Sequence, residues 1–199
     1  AFCIVDPDFG AFSEENPQDI RYGESFAAEV INRVMRGKGW PHTLLICLYD
    51  EHGGYYDHVP PQAAPPPDDV PGRSLLNMPG WLRAALKPFF ASYLASLANV
   101  DAGPDRYDRY GFRVPAVIVS PYSRHNYVSK TVHDHTSVLK LIETKWNLGA
   151  MTYRDANADN LFDSLKFEGR PDFIEPPTLP QPALANGPDL CTPGYPGGA

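Results

Sequence analysis

The run Tyr49-Asp50-Glu51-His52-Gly53-Gly54 sets two adjacent carboxylates and an imidazole directly after an apolar stretch, Thr43 to Tyr49. Neighbouring carboxylates at the end of a core strand repel each other and lose hydration unless a cation or hydrogen-bond donors stand between them. Hard divalent cations favour such oxygen ligands, and imidazole joins for zinc, iron or manganese. Gly53 and Gly54 let the backbone turn tightly and approach a ligand, and Asp57-His58 follow four residues later. The pattern points to metal-assisted hydrolysis, with Asp50 and Glu51 as candidate metal ligands. The local chemistry also allows a plainer reading, in which both acids cap a loop and His52 and His58 are surface residues.

A second cluster is His133-Asp134-His135-Thr136-Ser137. Asp134 or Thr136 suits a helix N-cap. His135 then falls in a first turn, where free N–H groups and the positive end of the helix dipole favour a bound anion such as phosphate. Simple capping with solvent-facing histidines is the alternative. Glu14-Glu15-Asn16-Pro17 precedes the first helix and reads locally as a polar loop that also has the chemistry to line a site. His42 and His125 lie in connecting segments and receive no role. Tyr55, Tyr56, Tyr107 and Tyr110 serve equally as packing or as substrate contacts. The chain contains no G-x-S-x-G, no Walker-type loop and no C-x-x-C pair.

The elements that position these clusters follow from periodicity. Phe2 to Val5 is a short apolar run closed by Asp6-Pro7-Asp8, which predicts a buried strand, with Cys3 and Cys47 as core residues. Between Glu24 and Met35, Phe26, Val30 and Val34 fall on one helical face beside Ala27, Ile31 and Met35. Glu29, Asn32 and Arg33 then turn outward, and Gly37 and Gly39 stop the helix. Thr43 to Tyr49 is apolar without alternation, as in a parallel sheet covered on both faces. Residues 1–50 thus read as strand, helix, strand. Prolines from Pro60 to Pro79 predict an irregular excursion, and Trp81 to Leu97 regains helical spacing across Pro88. Arg113 to Ser120 predicts another buried strand. Residues 136–148 predict a helix with Val138, Leu141, Ile142 and Trp146 inward, and Ala156 to Leu165 a short one. Strands interleaved with helices argue for a three-layer α/β/α sandwich, whose functional loops gather beyond the carboxyl ends of the strands. Residues 1–169 form its folded portion, and 170–199 a Pro/Gly-rich extended tail.

Bulk properties narrow the function classes. The 199 residues suffice for one domain, with 43% hydrophobic and 21% charged residues. A formal net charge of −7 without a block of Lys or Arg argues against a nucleic-acid binder. No apolar run approaches the roughly 20 residues that cross a bilayer. Three scattered cysteines make no disulfide framework. The opening Ala-Phe-Cys-Ile-Val is no signal peptide and reads as a strand entered mid-protein.

Taken together, the motifs resemble a known group. The string Trp40-x-x-Thr43-Leu-Leu-x-x-x-Tyr-Asp50-Glu-His-Gly-Gly-x-Tyr-Asp-His58-Val-x-Pro resembles the phosphoesterase family of non-specific phospholipases C and acid phosphatases, within the alkaline phosphatase superfamily. Gly111-Phe-Arg-Val-Pro115 with Ser120-Pro121, Asp134-His135-Thr-Ser137 and Thr152-x-Arg154-Asp155 resemble its later segments in the same order. The resemblance covers residues 1 to about 165, and its first string is the specific one. It implies that Asp50 and Glu51 help hold a divalent metal of unknown identity. It further implies that His52 and His135 act on the phosphoryl group, that Asn16 and His58 contact substrate, and that a metal-activated Ser or Thr attacks phosphorus. The implied substrate is a phosphate ester or phospholipid, and export to the periplasm or exterior is common in such proteins.

Two departures carry consequences. The family has His-Pro where this chain has Asn16-Pro17. Asn donates a hydrogen bond to phosphate but cannot transfer a proton. The family's nucleophile and its acid–Asn metal ligands precede the stretch matched by Ala1. The expectation is therefore a C-terminal portion, partnered by an N-terminal portion of the same protein, or a form that has lost catalysis. A non-catalytic scaffold of the same fold and a different metal hydrolase, such as an amidase using Asp50, His52 and His58, are the competing readings.

Overall fold

The computed structural model describes residues 1–15, 18–68, 81 and 107–180. The chain forms two compact units, one of residues 1–58, 112–130 and 162–199 and another of residues 59–111 and 131–161. The expected helix from Trp81 to Leu97 lies outside the described residues apart from Trp81 itself. No helix among the described residues is long and apolar enough to cross a membrane.

In the first unit, helix α1 spans Ile20–Arg36. Asp19 caps it, accepting from Arg21 N at 3.0 Å and from the Arg21 guanidinium. Gly37 ends it with an N–H to Val34 O. Met35 is buried as expected, but Asn32 is buried too, at 3% exposure, where the periodicity turned it outward. Its Nδ2 donates to Ala28 O at 2.9 Å, so the amide enters the packed face with a partner. Trp40 opens a short 3-10 turn, Trp40–His42, and its buried indole N–H donates to Phe173 O at 2.9 Å. That contact, with Phe173 stacked near His125, ties part of the tail to this unit.

Strand β1 is Leu45–Leu48 and strand β2 is Ala116–Val119, both inside the runs the sequence marked. They pair antiparallel, Leu45 opposite Val119 and Leu48 opposite Ala116. A parallel, fully covered sheet was the expectation. The described pair is instead antiparallel and half-covered, with Ala116 and Val117 exposed, as antiparallel sheets tolerate. Phe2 to Val5 forms no strand, and Phe2, Cys3, Ile4 and Val5 are exposed. The apolar run signalled burial, but a strand also needs a paired edge, and none of the described residues supplies one here. The βαβ reading of residues 1–50 thus reduces to α1 and β1.

In the second unit, helix α2 covers Thr136–Trp146 and helix α3 covers Tyr153–Asn157, and the two pack together. Leu141 is buried, but Trp146 is 42% exposed while Ser137 and Glu143 are buried. The predicted helix over Ala156–Leu165 is instead α3 followed by a 3-10 turn, Leu161–Ser164. The proline-rich stretch runs extended through residues 62–64 beside 108–110, with Ala64 N on Asp108 O and Tyr110 N on Gln62 O. The described residues therefore hold helices and a two-stranded sheet.

Candidate active site

The acidic turn leaves β1 at its carboxyl end. Asp50 Oδ1 accepts the N–H of Glu51 at 3.0 Å, and both side chains are exposed. Among the described residues neither acid meets a lysine or arginine. Gly53 and Gly54 both have positive φ, 63° and 75°, which lets the chain reverse after His52 without the strain a side chain would bring. The His52 ring meets Phe112 edge-on at 4.8 Å, and its Nδ1 is buried without a hydrogen-bond partner among the described residues. An unpartnered buried nitrogen in a native site calls for a ligand or a water.

Asp57 and His58 differ from this. Asp57 binds the Arg113 guanidinium through both oxygens, at 2.8 and 2.9 Å, and accepts the Arg113 N–H at 3.1 Å. That pair holds the Arg113 charge firmly on, above its usual pKa, and pins the turn to the approach of β2. The His58 side chain is 80% exposed, with Nδ1 3.7 Å from Asp57.

Tyr49, the residue before Asp50, donates its hydroxyl to the Glu14 carboxylate. Burial first, and this bond next, push the Tyr49 pKa well up. Gly23 of α1 makes the arrangement possible, since a Cβ there would stand 2.4 Å from Glu14 Cγ and 3.0 Å from Ser13 C. Glu14, read locally as part of a polar loop, is thus fixed beside the carboxyl end of β1. Asn16, the expected substrate contact two residues on, lies outside the described residues.

The second cluster belongs to the other unit. Asp134 Oδ1 accepts from Thr136 N at 2.8 Å, Thr136 Oγ1 at 2.6 Å and Ser137 N at 3.2 Å, and Asp134 N donates to Ser137 Oγ at 3.2 Å. Asp134 thus supplies the capping side chain, and His135 stands immediately before α2 rather than in its first turn, with its side chain exposed; the sequence offered Asp134 or Thr136 as the cap. Arg154 also reaches Asp134, Nη1 to Oδ2 at 3.9 Å. The sequence singled out Arg154 only as part of a matching string. Its partners lie 20 to 89 positions away and leave no local signal.

Asp155 is fully buried. It takes hydrogen bonds from Met151 N at 2.7 Å and from Thr152 Oγ1, closing a capping box at α3. Burial pushes its pKa up, but the bonds from Thr152, Glu143 and the backbone outweigh that and hold it well down. The Asp155 carboxyl first, and burial next, raise the pKa of the buried Glu143, whose Oε1 has no hydrogen-bond partner among the described residues. The Thr152-x-x-Asp155 spacing was the available sequence signal for this helix start.

No group of three or more His, Cys, Asp or Glu among the described residues is arranged to hold a metal. The oxygen donors of Asp50 and Glu51 suit a hard divalent ion chemically but make only part of a coordination shell.

Comparison with known proteins agrees with the motif order. The Phosphoesterase family matches residues 7–149. The chain is 32% identical over 164 residues to Phospholipase C A of Mycobacterium tuberculosis, covering 77% of this chain and 27% of that protein. It is 29% identical over 184 residues to Non-specific phospholipase C6 of Arabidopsis thaliana, covering 86% and 30%. With Non-hemolytic phospholipase C of Pseudomonas aeruginosa the identity is 31% over 178 residues, covering 85% and 24%. The chain thus spans less than a third of the length of these relatives. The matched stretch runs from the loop before α1 through the acidic turn to the end of α2, and on that ground the chain belongs to the phosphoesterase family.

Proposed function

We propose that this chain is the part of a phosphate-ester hydrolase, of phospholipase C or acid phosphatase type, that contributes Asp50 and Glu51 to a divalent-metal site within a three-layer α/β/α sandwich. The observation that carries the reading is the state of the turn after β1. Two adjacent carboxylates stand there without a cationic partner among the described residues, beside a His52 nitrogen that is buried and unpartnered. Both side chains are exposed and hydrated, so their oxygens are available to a hard divalent ion. An ion there supplies Lewis-acid stabilisation of charge on phosphoryl oxygen.

The protein's own side chains take the remaining roles. Tyr49, held by Glu14, keeps the first acid at the strand end. His52 donates to a phosphoryl oxygen or to the departing alkoxide. His135, the residue before α2, offers a second imidazole to an anionic oxygen where backbone N–H groups favour negative charge. Asn16 and His58 contact the rest of the substrate. The attacking group in this reading is a Ser or Thr that none of the motifs above supplies. Residues 1–169 belong to the phosphoesterase domain and 170–199 to its extended tail.

The test uses the full-length polypeptide with a chromogenic phosphate monoester and with phosphatidylcholine. Hydrolysis of at least one, lost on chelation and on Asp50→Ala, is the expected result, whereas residues 1–199 alone turn over poorly. Metal-supplemented full-length protein that leaves both esters intact, or an Asp50→Ala variant as active as the parent, overturns the reading. Cleavage of amides in place of phosphate esters would assign the acids to a different hydrolase.

A further inference from the structure

Arg154 collects partners from three separate segments of its own unit. Its Nε donates to Pro65 O at 2.6 Å, a terminal N–H donates to Tyr107 O, its guanidinium carbon lies 5.3 Å from the Tyr110 ring centre, and Nη1 stands 3.9 Å from Asp134 Oδ2. The Arg154 and Asp134 side chains are only 14% and 15% exposed. The other Asp134 oxygen is occupied by Thr136 and Ser137. Asp134 therefore sits clamped between a cation on one side and the first turn of α2 on the other, one residue before His135.

We propose that Arg154 is a positioning residue for His135: it fixes the Asp134 carboxylate in its capping pose and cancels its charge, so that an anionic phosphoryl oxygen can approach the neighbouring imidazole. The inference rests on the phosphoesterase reading above, in which His135 receives such an oxygen. Capping alone does not require the arginine, because the N–H groups of α2 already satisfy Asp134 Oδ1. What capping leaves behind is a negative charge beside the very turn where an anion should bind, weakly screened because both side chains are largely covered. The guanidinium removes that repulsion. It is itself oriented by two carbonyls and a ring face, which a lysine ammonium cannot reproduce with the same geometry.

The role is tested in the full-length polypeptide by the inhibition constant of inorganic phosphate and by KM and kcat for a chromogenic phosphate monoester. Arg154→Met is expected to weaken phosphate inhibition and raise KM on the order of tenfold, the scale of an electrostatic change near one unit of log K, with a smaller change in kcat. Arg154→Lys recovers most of the loss, since the charge remains. Adding Asp134→Asn to Arg154→Met also recovers it, because no carboxylate is left to compensate. A merely structural arginine predicts a lower melting temperature with phosphate inhibition unchanged and no recovery in the double variant; either finding overturns the proposal. Should Arg154→Met fail to fold, Asp134→Asn alone decides: phosphate inhibition must tighten, and unchanged or weaker inhibition overturns the role. A parent protein that neither cleaves the ester nor is inhibited by phosphate overturns the phosphoesterase reading itself, and it does so before any substitution is made.

Discussion

The two acidic turns of this chain use the same residue types in opposite ways. After β1, Asp50 and Glu51 are exposed, and among the described residues Asp50 accepts a hydrogen bond from the next backbone N–H alone. In the other unit, Asp134 caps α2 and faces Arg154, and Asp155 is buried with its oxygens committed to Thr152, Met151 N and Glu143. A carboxylate whose lone pairs are filled by the protein holds structure, and one left unfilled at a strand end is available to a ligand. The difference teaches that acid content alone does not mark a site; the surrounding donors decide.

The contrast is broken most sharply by exchanging which property each acid controls. Asp50→Ala is expected to lower phosphate-ester turnover of the full-length protein by at least on the order of 100-fold, as loss of a metal-site residue does. Its thermal unfolding should hardly move, because no packed contact is lost. Asp155→Ala should do the reverse, lowering unfolding free energy by about 2–3 kcal/mol in urea titrations, since the part-buried Met151 N–H and Thr152 hydroxyl lose their buried acceptor. An Asp155→Ala protein as stable as the parent would remove the distinction between the turns.

Gly23→Ala sharpens the comparison from the first unit. Alanine favours helix by about 1 kcal/mol, but the new Cβ collides with Glu14 and its backbone, and overpacking costs about 1–3 kcal/mol. A net loss of about 1 kcal/mol, measured by chemical denaturation, is expected; a stabilised variant would show that the Glu14–Tyr49 contact is not held by the helix.

The opposed shifts of Glu143 and Asp155 predict a pH signature. Glu143 is raised by its bond to Asp155 and by burial, so its contribution is full below its unfolded value of about 4.3 and fades as pH rises through its folded value. Asp155 is held low, so its contribution is present above about 3.9 and is lost as pH falls through its folded value. Glu143→Gln, which keeps a donor to Asp155 at every pH, should flatten the loss on the alkaline side in urea unfolding from pH 4 to 8. A parent and variant with parallel profiles would sink the coupling between the two carboxyls. The smallest effect belongs to His58→Ala, whose exposed ring should change stability by no more than about 0.5 kcal/mol.

Much of the scaffold was legible in the chain. The 3.6-residue spacing located α1 and α2, and unbroken apolar runs located β1 and β2, because both signals are generated by neighbours in sequence. Residue type and spacing narrowed the cap of α2 to Asp134 or Thr136, and the hydrogen bonds chose Asp134. Buried polar groups were not legible. Asn32 lies inward because a carbonyl four residues back awaits its amide, and Glu143 lies inward near a carboxylate twelve positions on. Phe2 to Val5 misled for the converse reason: its composition suits a strand, but strand formation depends on an edge the run does not itself provide.

By itself the sequence determined the acidic turn, its glycines and the helices and strands around it, since propensity, periodicity and capping act within a few residues. The tertiary structure decided which acids are engaged and which are left available. Tyr49 with Glu14, Arg113 with Asp57 and Arg154 with Asp134 join residues 20 to 56 positions apart. A hydrogen bond requires its atoms within about 3 Å and an ion pair within about 4 Å whatever their separation along the chain, so only folding assigns those partners.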